Sequence, residues 1–322
     1  MTFHDTTVLV TGGAGFIGSH LAQRLLDEGA RVRVLDDLST GRRQNLEGFA
    51  DRVELLEASV TDPEACARAC RGVDYVLHQA ALPAVQRSVA RPRATHDVNA
   101  TGTLNVLLAA REAGVRRVVY AGSSSAYGDT PTLPKHEAMP SFPMSPYAIA
   151  KLTGERYAAV FPRLYGLQTV VLRYFNVFGP RQDPASTYSA VIPRFILHAL
   201  EGTPPTIHGD GEQTRDFTYI ENVVRANFRA CFAPEAAVGG VFNVGCGEAV
   251  SIRRLWEEIR EITGARLEAE HVPRRAGDVR DSLADLTRIR RTLGYRVEVP
   301  LAEGLRRTAD WLRTRRTAGA AS

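Results

Sequence analysis

A glycine-rich turn near the start of the chain constrains the fold more than any other sequence feature. The β-rich run Thr7–Thr11 leads directly into glycines at positions 12, 15 and 18. The first glycine permits a tight turn, the second lets a pyrophosphate approach the backbone, and the third lets the next helix pack closely on the strand. Free N–H groups and the positive end of the helix dipole then attract phosphates. The contacts predicted for this dinucleotide turn are Gly12, Gly15, Phe16, Ile17 and Gly18.

An acidic pair ends the second predicted strand, about twenty residues further on. A carboxylate from Asp36 or Asp37 can bind both hydroxyls of an adenosine ribose and would repel a 2′-phosphate, so the sequence favours NAD over NADP. Arg42 and Arg43 follow in the loop and could accommodate that phosphate, but we expect them to face solvent. The loop residues expected at the cofactor are Ser39, Thr40 and Gly41.

Apolar runs alternate with longer helical patterns through the first half of the chain. Strands are predicted at Thr7–Val10, Arg31–Leu35, Val53–Leu56, Tyr75–His78, Val118–Ala121 and Thr169–Leu172, and helices at Phe16–Glu28, Asn99–Ala113 and Tyr147–Phe161. Strands separated by helices indicate βαβ units and a parallel sheet. We therefore predict an α/β fold with a Rossmann-type, doubly wound parallel sheet.

Proline and glycine become frequent after about Tyr174, which indicates a smaller C-terminal α/β domain lying over the sheet. We assign residues 1–174 to an NAD-binding Rossmann domain, with a return segment near 220–245 that contains a strand at Val241–Gly245. Residues 175–219 and 246–315 are assigned to a substrate-binding domain. The basic, small-residue tail 316–322 is expected to fray.

Composition narrows the class of protein. The chain of 322 residues has a net charge of +4 and scattered arginines, whereas nucleic-acid binding favours a concentrated basic face, so we expect no nucleic-acid partner. Its four cysteines lack the partners of a metal set and indicate structural thiols. Neither a secretory leader nor an apolar run near the ~20 residues of a membrane span is found. We therefore expect a soluble, cytoplasmic protein without a membrane partner.

A tyrosine and a lysine, Tyr147 and Lys151, are one helical turn apart and so project from the same helix face. A free tyrosine, with a pKa of about 10, is a poor base at neutral pH, and a nearby cation favours its phenolate. Upstream, Ser123 and Ser124 end a predicted strand, and ligands of open α/β sheets bind outside the carboxyl ends of strands. The sequence therefore predicts that a serine and Tyr147 converge on one substrate hydroxyl.

Seven stretches resemble the extended short-chain dehydrogenase/reductases of the NAD-dependent epimerase/dehydratase family. They are TGGAGFIGSHL at 11–21, LDDLSTG at 35–41, HQAA at 78–81, SPYAIAK at 145–151, LRYFNVFGPRQDP at 172–184, GDGEQTRDFTYI at 209–220 and RRAGDVRDSLAD at 274–285. They are most similar to UDP-hexose and UDP-N-acetylhexosamine 4-epimerases, and the resemblance covers nearly the whole chain. It implies tightly bound NAD and interconversion of UDP-Glc with UDP-Gal, and of UDP-GlcNAc with UDP-GalNAc, through a transient 4-keto sugar.

The resemblance also implies roles for individual residues. Tyr147 is the general base, Lys151 binds the nicotinamide ribose and lowers the tyrosine pKa, and Ser123 bridges the sugar O4. Ser123 is preferred because the family's hydroxyl residue lies four before the tyrosine of a Tyr-Gly pair, here at 127–128, and Ser124 stays the alternative. Further implied cofactor contacts are Ser59, Val60, Ala80, Ala81, Asn99 and Tyr174. The implied substrate contacts are Ser123, Ser124, Tyr147, Asn176, Val191, Ile192, Ile207, Arg215, Arg275, Asp278 and Ser282.

Three departures and matches refine this expectation. Ala58 and Ser59 stand where the family usually has a Gly-Asp pair at adenine, so NAD is expected to bind less tightly than is usual. Ser124 and Ser125 stand where related dehydratases and decarboxylases carry carboxylates, which disfavours those reactions. Ser282 matches a position at the sugar C2 pocket that is a tyrosine in enzymes restricted to glucose and galactose, so there is room for an N-acetyl group.

Three further points follow from the resemblance. A UDP-uronate or dTDP-hexose epimerase stays an alternative, although Asp183 is an unfavourable neighbour for a carboxylate sugar. A non-catalytic NAD-binding regulatory protein is the alternative of a different class, and the intact serine, tyrosine and lysine argue against it. The family's intersubunit four-helix bundle implies a homodimer, with interface candidates at Val106, Leu107, Ile149 and Tyr157.

Overall fold

The computed structural model describes residues 2–183, 190–274 and 279–319, with side chains up to residue 316. The strands are β1 Thr7–Thr11, β2 Arg31–Asp36, β3 Val53–Glu57, β4 Tyr75–His78, β5 Arg117–Ser123, β6 Gln168–Tyr174, β7 Val177–Phe178, β8 Thr206–His208, β9 Thr214–Arg215, β10 Thr218–Tyr219, β11 Val241–Val244, β12 Val250–Ser251 and β13 Glu270–Val272. The helices are α1 Phe16–Asp27, α2 Pro63–Cys70, α3 Val85–Ala90, α4 Pro92–His96, α5 Gly102–Glu112, α6 Pro146–Tyr165, α7 Val191–Glu201, α8 Ile220–Cys231, α9 Ile252–Thr263, α10 Thr287–Leu293 and α11 Leu301–Gly319.

Seven strands form the central sheet, in the order β11-β6-β5-β4-β1-β2-β3. All their pairings are parallel, which confirms the predicted doubly wound α/β fold. The chain progresses from β1 through β2 to β3 and then crosses back to place β4 on the other side of β1. Such a reversal opens a crevice at the carboxyl ends of β1 and β4, where ligands of this architecture bind.

Both faces of the sheet are apolar because helices cover both of them. Val8 and Val10 belong to one buried cluster, whereas Leu9 between them belongs to the other. This alternation is the period of two of a strand, and apolar residues on both faces are typical of parallel sheets. The short apolar runs of the sequence are therefore buried on both sides, which explains why they read as strands.

Helix α5 buries two of the four predicted interface residues. Val106 and Leu107 are both 0% exposed and belong to the cluster that joins α2 to the sheet. The prediction that these two residues lie at a dimer interface is wrong, because α2 already covers them. Ile149 and Tyr157 on α6 are instead 51% and 37% exposed.

The second half of the chain contributes both to the central sheet and to small separate sheets. Strand β11 pairs in parallel with β6 at the sheet edge, while three two-stranded sheets join β7 with β10, β8 with β13 and β9 with β12. Helix α11 continues to Gly319 and so enters the segment 316–322 that was expected to fray. Within the described part of the chain, no helix is both long and apolar enough to cross a membrane.

Candidate active site

The glycine turn is closed on the strand side and open on its outer side. A Cβ at Gly18 would lie 2.0 Å from the Gly12 carbonyl oxygen, and one at Gly12, where φ is +67°, would lie 2.7 Å from the Ala80 nitrogen. A Cβ at Gly15 would meet only the Gly12 oxygen, at 3.1 Å. Helix α1 has neither a side-chain cap nor an acidic residue in its first turn, so its N-terminal N–H groups suit the phosphates of a dinucleotide.

Asp36 is the buried carboxylate at the end of β2. Its two oxygens accept hydrogen bonds from the backbone N–H groups of Ala14 and Leu38, both at 2.8 Å. Burial raises the pKa of Asp36, and these hydrogen bonds oppose the rise. A Cβ at Gly41 would lie 2.7 Å from the carboxylate, so the predicted loop packs directly against it. Each oxygen keeps acceptor capacity, as ribose hydroxyls require.

The charged residues that neighbour Asp36 in this loop are exposed to solvent. The Asp37 carboxylate accepts from the Ser39 N–H at 3.0 Å. Arg42 and Arg43, which we expected to face solvent, are ion-paired with Asp183 and Glu57, with side chains 54% and 65% exposed.

Three other predicted cofactor residues contact protein groups. Asn99 lies in a π-helical turn before α5 and clamps the backbone of Leu82, accepting at 2.7 Å and donating at 3.1 Å. The Ser59 oxygen accepts from Thr61, and the buried Tyr174 hydroxyl bonds to the side chains of Gln79 and Asn227. Direct contacts of these three residues with a cofactor stay predictions, as do those of Val60, Ala80 and Ala81.

Ser123 and Tyr147 meet at the carboxyl edge of the sheet. Ser123 is the last residue of β5. Helix α6 starts beside it, with the Ser145 hydroxyl capping the N–H of Ala148 at 3.2 Å and Pro146 at the first position. The Ser123 hydroxyl lies close enough to Tyr147 to lower the pKa of that tyrosine, and its oxygen also accepts from the backbone N–H and the hydroxyl of Ser125, at 3.2 and 2.8 Å. The structure thus favours Ser123 over Ser124 as the serine beside the tyrosine.

Lys151 is buried one turn further along α6. Its ammonium donates to the Ala121 carbonyl oxygen at 2.8 Å and lies 5.0 Å from the centre of the Tyr120 ring. Burial lowers the pKa of Lys151 to about 7. Burial also raises the pKa of Tyr147, and the nearby Ser123 hydroxyl opposes this rise. In the protein alone, the cation that we expected to lower the tyrosine pKa is therefore itself partly neutral at pH 7.

Two residues behind Lys151, His78 and Tyr120, were not predicted as site residues from the sequence. His78 lies between the hydroxyls of Thr11 and Thr103, at 2.6 and 3.0 Å, and burial, with Lys151 nearby, lowers its pKa to about 3. The Tyr120 hydroxyl donates to the Lys151 carbonyl oxygen at 3.1 Å. His78 is therefore uncharged at neutral pH and adds no second cation near Lys151. The HQAA stretch at 78–81 was the available signal.

A cavity of about 220 Å³ lies between α7, β8 and β9. Five predicted substrate residues line it, namely Asn176, Val191, Ile192, Ile207 and Arg215. The Arg215 guanidinium is held by the carbonyl oxygens of Thr214 and Arg280, at 2.8 and 2.9 Å. The lining also includes polar residues that were missed, Arg194, His208 and Gln213. An apolar wall with a few polar groups suits a planar base linked to phosphates.

Ser282 lies next to the cavity, on a segment that pairs with β9. Its backbone N–H donates to the Thr214 carbonyl oxygen at 3.2 Å, and the Asp281 carboxylate accepts from the Thr214 hydroxyl at 2.7 Å. Ser282 does not line the cavity itself. The predicted contacts Arg275 and Asp278 lie outside the described residues.

Comparison with known proteins adds to this geometry. The model of the NAD dependent epimerase/dehydratase family matches residues 8–245. A UDP-glucose 4-epimerase from Mycolicibacterium smegmatis is 42% identical over 311 residues, covering 95% of this chain and 98% of that protein. The structure of a UDP-N-acetylglucosamine 4-epimerase from Methanobrevibacter ruminantium in complex with UDP-N-acetylmuramic acid is 37% identical, with a TM-score of 0.92, and covers 97% and 99% of the two chains. The structure of the Thermus thermophilus UDP-glucose 4-epimerase in complex with NAD is 38% identical, with a TM-score of 0.87 and coverage of 96% and 99%.

The fold and the site define an NAD-dependent enzyme of nucleotide-sugar metabolism, a 4-epimerase by class. The chain belongs to the NAD dependent epimerase/dehydratase family. The family, the cofactor and the class of enzyme predicted from the sequence are thereby confirmed. The open face at Gly15 and the acceptor capacity of Asp36 fit the pyrophosphate and ribose of NAD.

Proposed function

We propose that the chain interconverts UDP-glucose with UDP-galactose, and UDP-GlcNAc with UDP-GalNAc, by inverting C4 of the sugar. The observation that supports this most is the placement of Ser123, at the carboxyl end of β5, beside Tyr147 in the first turn of α6, with Lys151 one turn away. The cavity lined by Asn176 and Arg215 supports a nucleotide on the substrate side. The named epimerases of 37–42% identity support C4 as the reacting carbon.

The chain's own residues supply proton transfer and orientation. Tyr147 accepts the proton of the sugar O4 hydroxyl, and Ser123 hydrogen-bonds the same oxygen, so that the hydroxyl is held in one orientation. NAD, when held by the glycine turn and Asp36, would supply reversible hydride chemistry at C4. The sugar ring must present its other face before Tyr147 gives the proton back. No net oxidation results, so a tightly held cofactor acts as a catalyst.

The test of this proposal is turnover by the enzyme as purified. We expect UDP-sugar epimerisation without added NAD, because the cofactor is regenerated in every cycle. A strict requirement for stoichiometric reduced cofactor would overturn the proposal. If the enzyme turned over a UDP-uronate or a dTDP-hexose in preference to UDP-hexoses, it would be an epimerase of that substrate instead.

Tyr147→Phe provides the residue-level test. Removing the phenolic hydroxyl takes away the proton acceptor, and we expect kcat to fall by about 10²–10⁴-fold, the usual contribution of a positioned base. Far-UV circular dichroism should be unchanged, because the ring stays. Full activity of this variant would show that Tyr147 is a core tyrosine rather than the base.

We propose that Ser282 makes the sugar pocket wide enough for an N-acetyl group. Its segment is fixed against β9 through Thr214, beside the Arg215 end of the nucleotide cavity. We expect wild type to turn over both substrate pairs and Ser282→Tyr to lose kcat/KM selectively on the N-acetylated pair. Ser282→Ala is the matched control and should keep both. Equal losses on both pairs in Ser282→Tyr, or no wild-type activity on UDP-GlcNAc, would contradict this assignment.

We also propose a homodimer formed through α6. The outer face of this helix exposes four apolar side chains along its length, Ile149 (51%), Tyr157 (37%), Val160 (43%) and Leu164 (58%). Leu108 on α5 is 36% exposed. An apolar stripe of this length on one helix favours packing against a second copy of the same helix.

A further inference from the structure

Two buried charges lie beside the catalytic residues and take no part in the chemistry described above. Glu155 and Arg173 have side chains only 1% and 2% exposed. The Arg173 guanidinium donates two parallel hydrogen bonds to the carboxylate, at 2.7 and 2.6 Å. A buried pair of this kind is weak support for stability, since well-packed apolar residues often replace one without loss. The Arg173 Nη1 atom is moreover buried without a hydrogen-bond partner among the described residues.

The position of the pair connects it with the catalytic helix and strand. Glu155 lies one turn after Lys151 on α6 and two turns after Tyr147, so the three share one helix face. Arg173 on β6 pairs with Gly122, the residue directly before Ser123. A Cβ at Gly122 would lie 3.4 Å from the Arg173 Cγ and 3.0 Å from a Val171 methyl carbon. The glycine thus leaves room for the arginine stem next to the catalytic serine.

The arginine also holds the turn that follows Ser123. Its guanidinium lies 4.6 Å from the centre of the Tyr127 ring, and Tyr127 ends the helical turn Ser124–Tyr127. The Tyr127 hydroxyl donates to the Asn243 side chain at 2.7 Å. Tyr127, and with it the turn, is therefore held by the Arg173 guanidinium and by Asn243 of β11.

Asn243 extends the connection to residues 283–285, which follow Ser282 in the chain. Its side-chain amide donates to the carbonyl oxygens of Lys135 and Asp285, at 2.8 and 3.2 Å. The Lys135 backbone in turn pairs with Leu283 and Asp285. A continuous set of contacts thus runs from α6, through the serine turn, to residues 283–285, directly after Ser282.

We propose that Glu155, Arg173 and Tyr127 are positioning residues that fix the serine turn relative to α6, and so set the geometry of the Ser123–Tyr147 pair. This rests on the proposed function, because it concerns the geometry of the same two hydroxyls. The unit acts through Ser123 and Tyr147 and does not touch the substrate.

The central experiment compares two buried arginines of the same sheet. Arg117, at the opposite end of β5, is 6% exposed and donates to Gln168 and to the carbonyl oxygens of Ala230, Cys231 and Ala233. We expect Arg173→Gln and Arg117→Gln both to lower Tm. Only Arg173→Gln should lower kcat, by about 10²-fold with KM little changed, because a misplacement near 1 Å has that effect. An equal kcat in the two variants would assign Arg173 a structural role alone.

A double-mutant cycle separates positioning from a general loss of order. In the Ser123→Ala background, Arg173→Gln should cost little further kcat, because the hydroxyl that it positions is gone. Full additivity would overturn the proposal. Should Arg173→Gln fail to fold, Tyr127→Phe keeps the ring over the guanidinium and removes the hydroxyl that donates to Asn243 and interacts with Arg173. Its kcat should then fall several-fold, and a wild-type kcat would equally overturn the proposal.

Hydrogen–deuterium exchange provides a readout that does not depend on the substrate. Exchange in the turn 123–128 and the first turn of α6 should increase in Arg173→Gln and stay unchanged in Arg117→Gln. Unchanged exchange in both variants would overturn the positioning proposal. A wild type without turnover on any UDP-sugar would overturn the proposed function and leave this exchange comparison to decide the positioning role.

Discussion

Replacing two glycines of the dinucleotide turn should separate folding from cofactor binding. Gly18→Ala puts a methyl group 2.0 Å from the Gly12 carbonyl oxygen, where an unstrained contact needs more than 3 Å. Gly12 has no room to retreat, because its own backbone packs against Ala80. Gly15→Ala meets only one oxygen, at 3.1 Å, and its φ of −76° suits alanine.

The expected magnitudes differ accordingly. Forcing a methyl group into a packed contact costs about 1–3 kcal/mol and sometimes more, and the rigid backbone on both sides places Gly18→Ala at about 3 kcal/mol or above. For a chain of this size that lowers Tm by roughly 6 °C, at about 2 °C for each kcal/mol. Gly15→Ala should change stability by less than about 1 kcal/mol, because its conformation is allowed. Its methyl group instead occupies the open side, where the pyrophosphate approaches.

The assay combines thermal unfolding with the NAD content of the purified protein, measured after denaturation, and with NAD affinity by calorimetry. Gly18→Ala should lose stability, whereas Gly15→Ala should keep its Tm and lose NAD. A Gly18→Ala variant with wild-type Tm would refute the steric reasoning. A Gly15→Ala variant that binds NAD like wild type would refute the assignment of its open side to the phosphates.

Two further predictions concern Lys151 and the outer face of α6. Burial lowers the Lys151 pKa from 10.5 to about 7, so the unfolded chain binds more protons in that range. The free energy of unfolding should therefore rise with pH relative to Lys151→Met, by up to about 1.4 kcal/mol per pH unit, and parallel curves from chemical denaturation would contradict this. Ile149→Glu should convert the proposed homodimer into a monomer in light scattering, whereas Leu133→Glu, which replaces an apolar residue that is 39% exposed outside α6, should not. A monomeric wild type would refute the proposed dimer.

Local sequence patterns predicted the elements that carry the site. The run Thr7–Thr11 and its glycines fix a strand, a turn and a helix within a short stretch, and the i,i+4 spacing places Tyr147 and Lys151 on one face of α6. These predictions succeeded because each depends on neighbours in the chain. The parallel sheet followed from the alternation of short apolar runs with helical ones.

Interactions between distant segments could not be predicted in this way. Val106 and Leu107 look like surplus apolar positions until α2 is seen to cover them. The resemblance implies a cofactor contact for Asn99, but nothing in the local sequence predicted that both ends of its amide bind the Leu82 backbone. The network of Arg173 leaves no periodic signal, because its partners on α6, the serine turn and β11 come together only when the sheet forms.

The protonation states of Tyr147 and Lys151 in the protein alone differ from those that the proposed reaction needs. In the protein alone, burial keeps Tyr147 protonated at neutral pH and leaves Lys151 partly neutral, while His78 stays uncharged. The Tyr147 hydroxyl is therefore not a strong base in the protein alone. The positive charge of an oxidised nicotinamide ring would favour the phenolate. Under the proposed function, Tyr147 would therefore become a strong base only once the oxidised cofactor is bound, and proton removal from the sugar O4 would depend on the same cofactor that supplies the hydride chemistry.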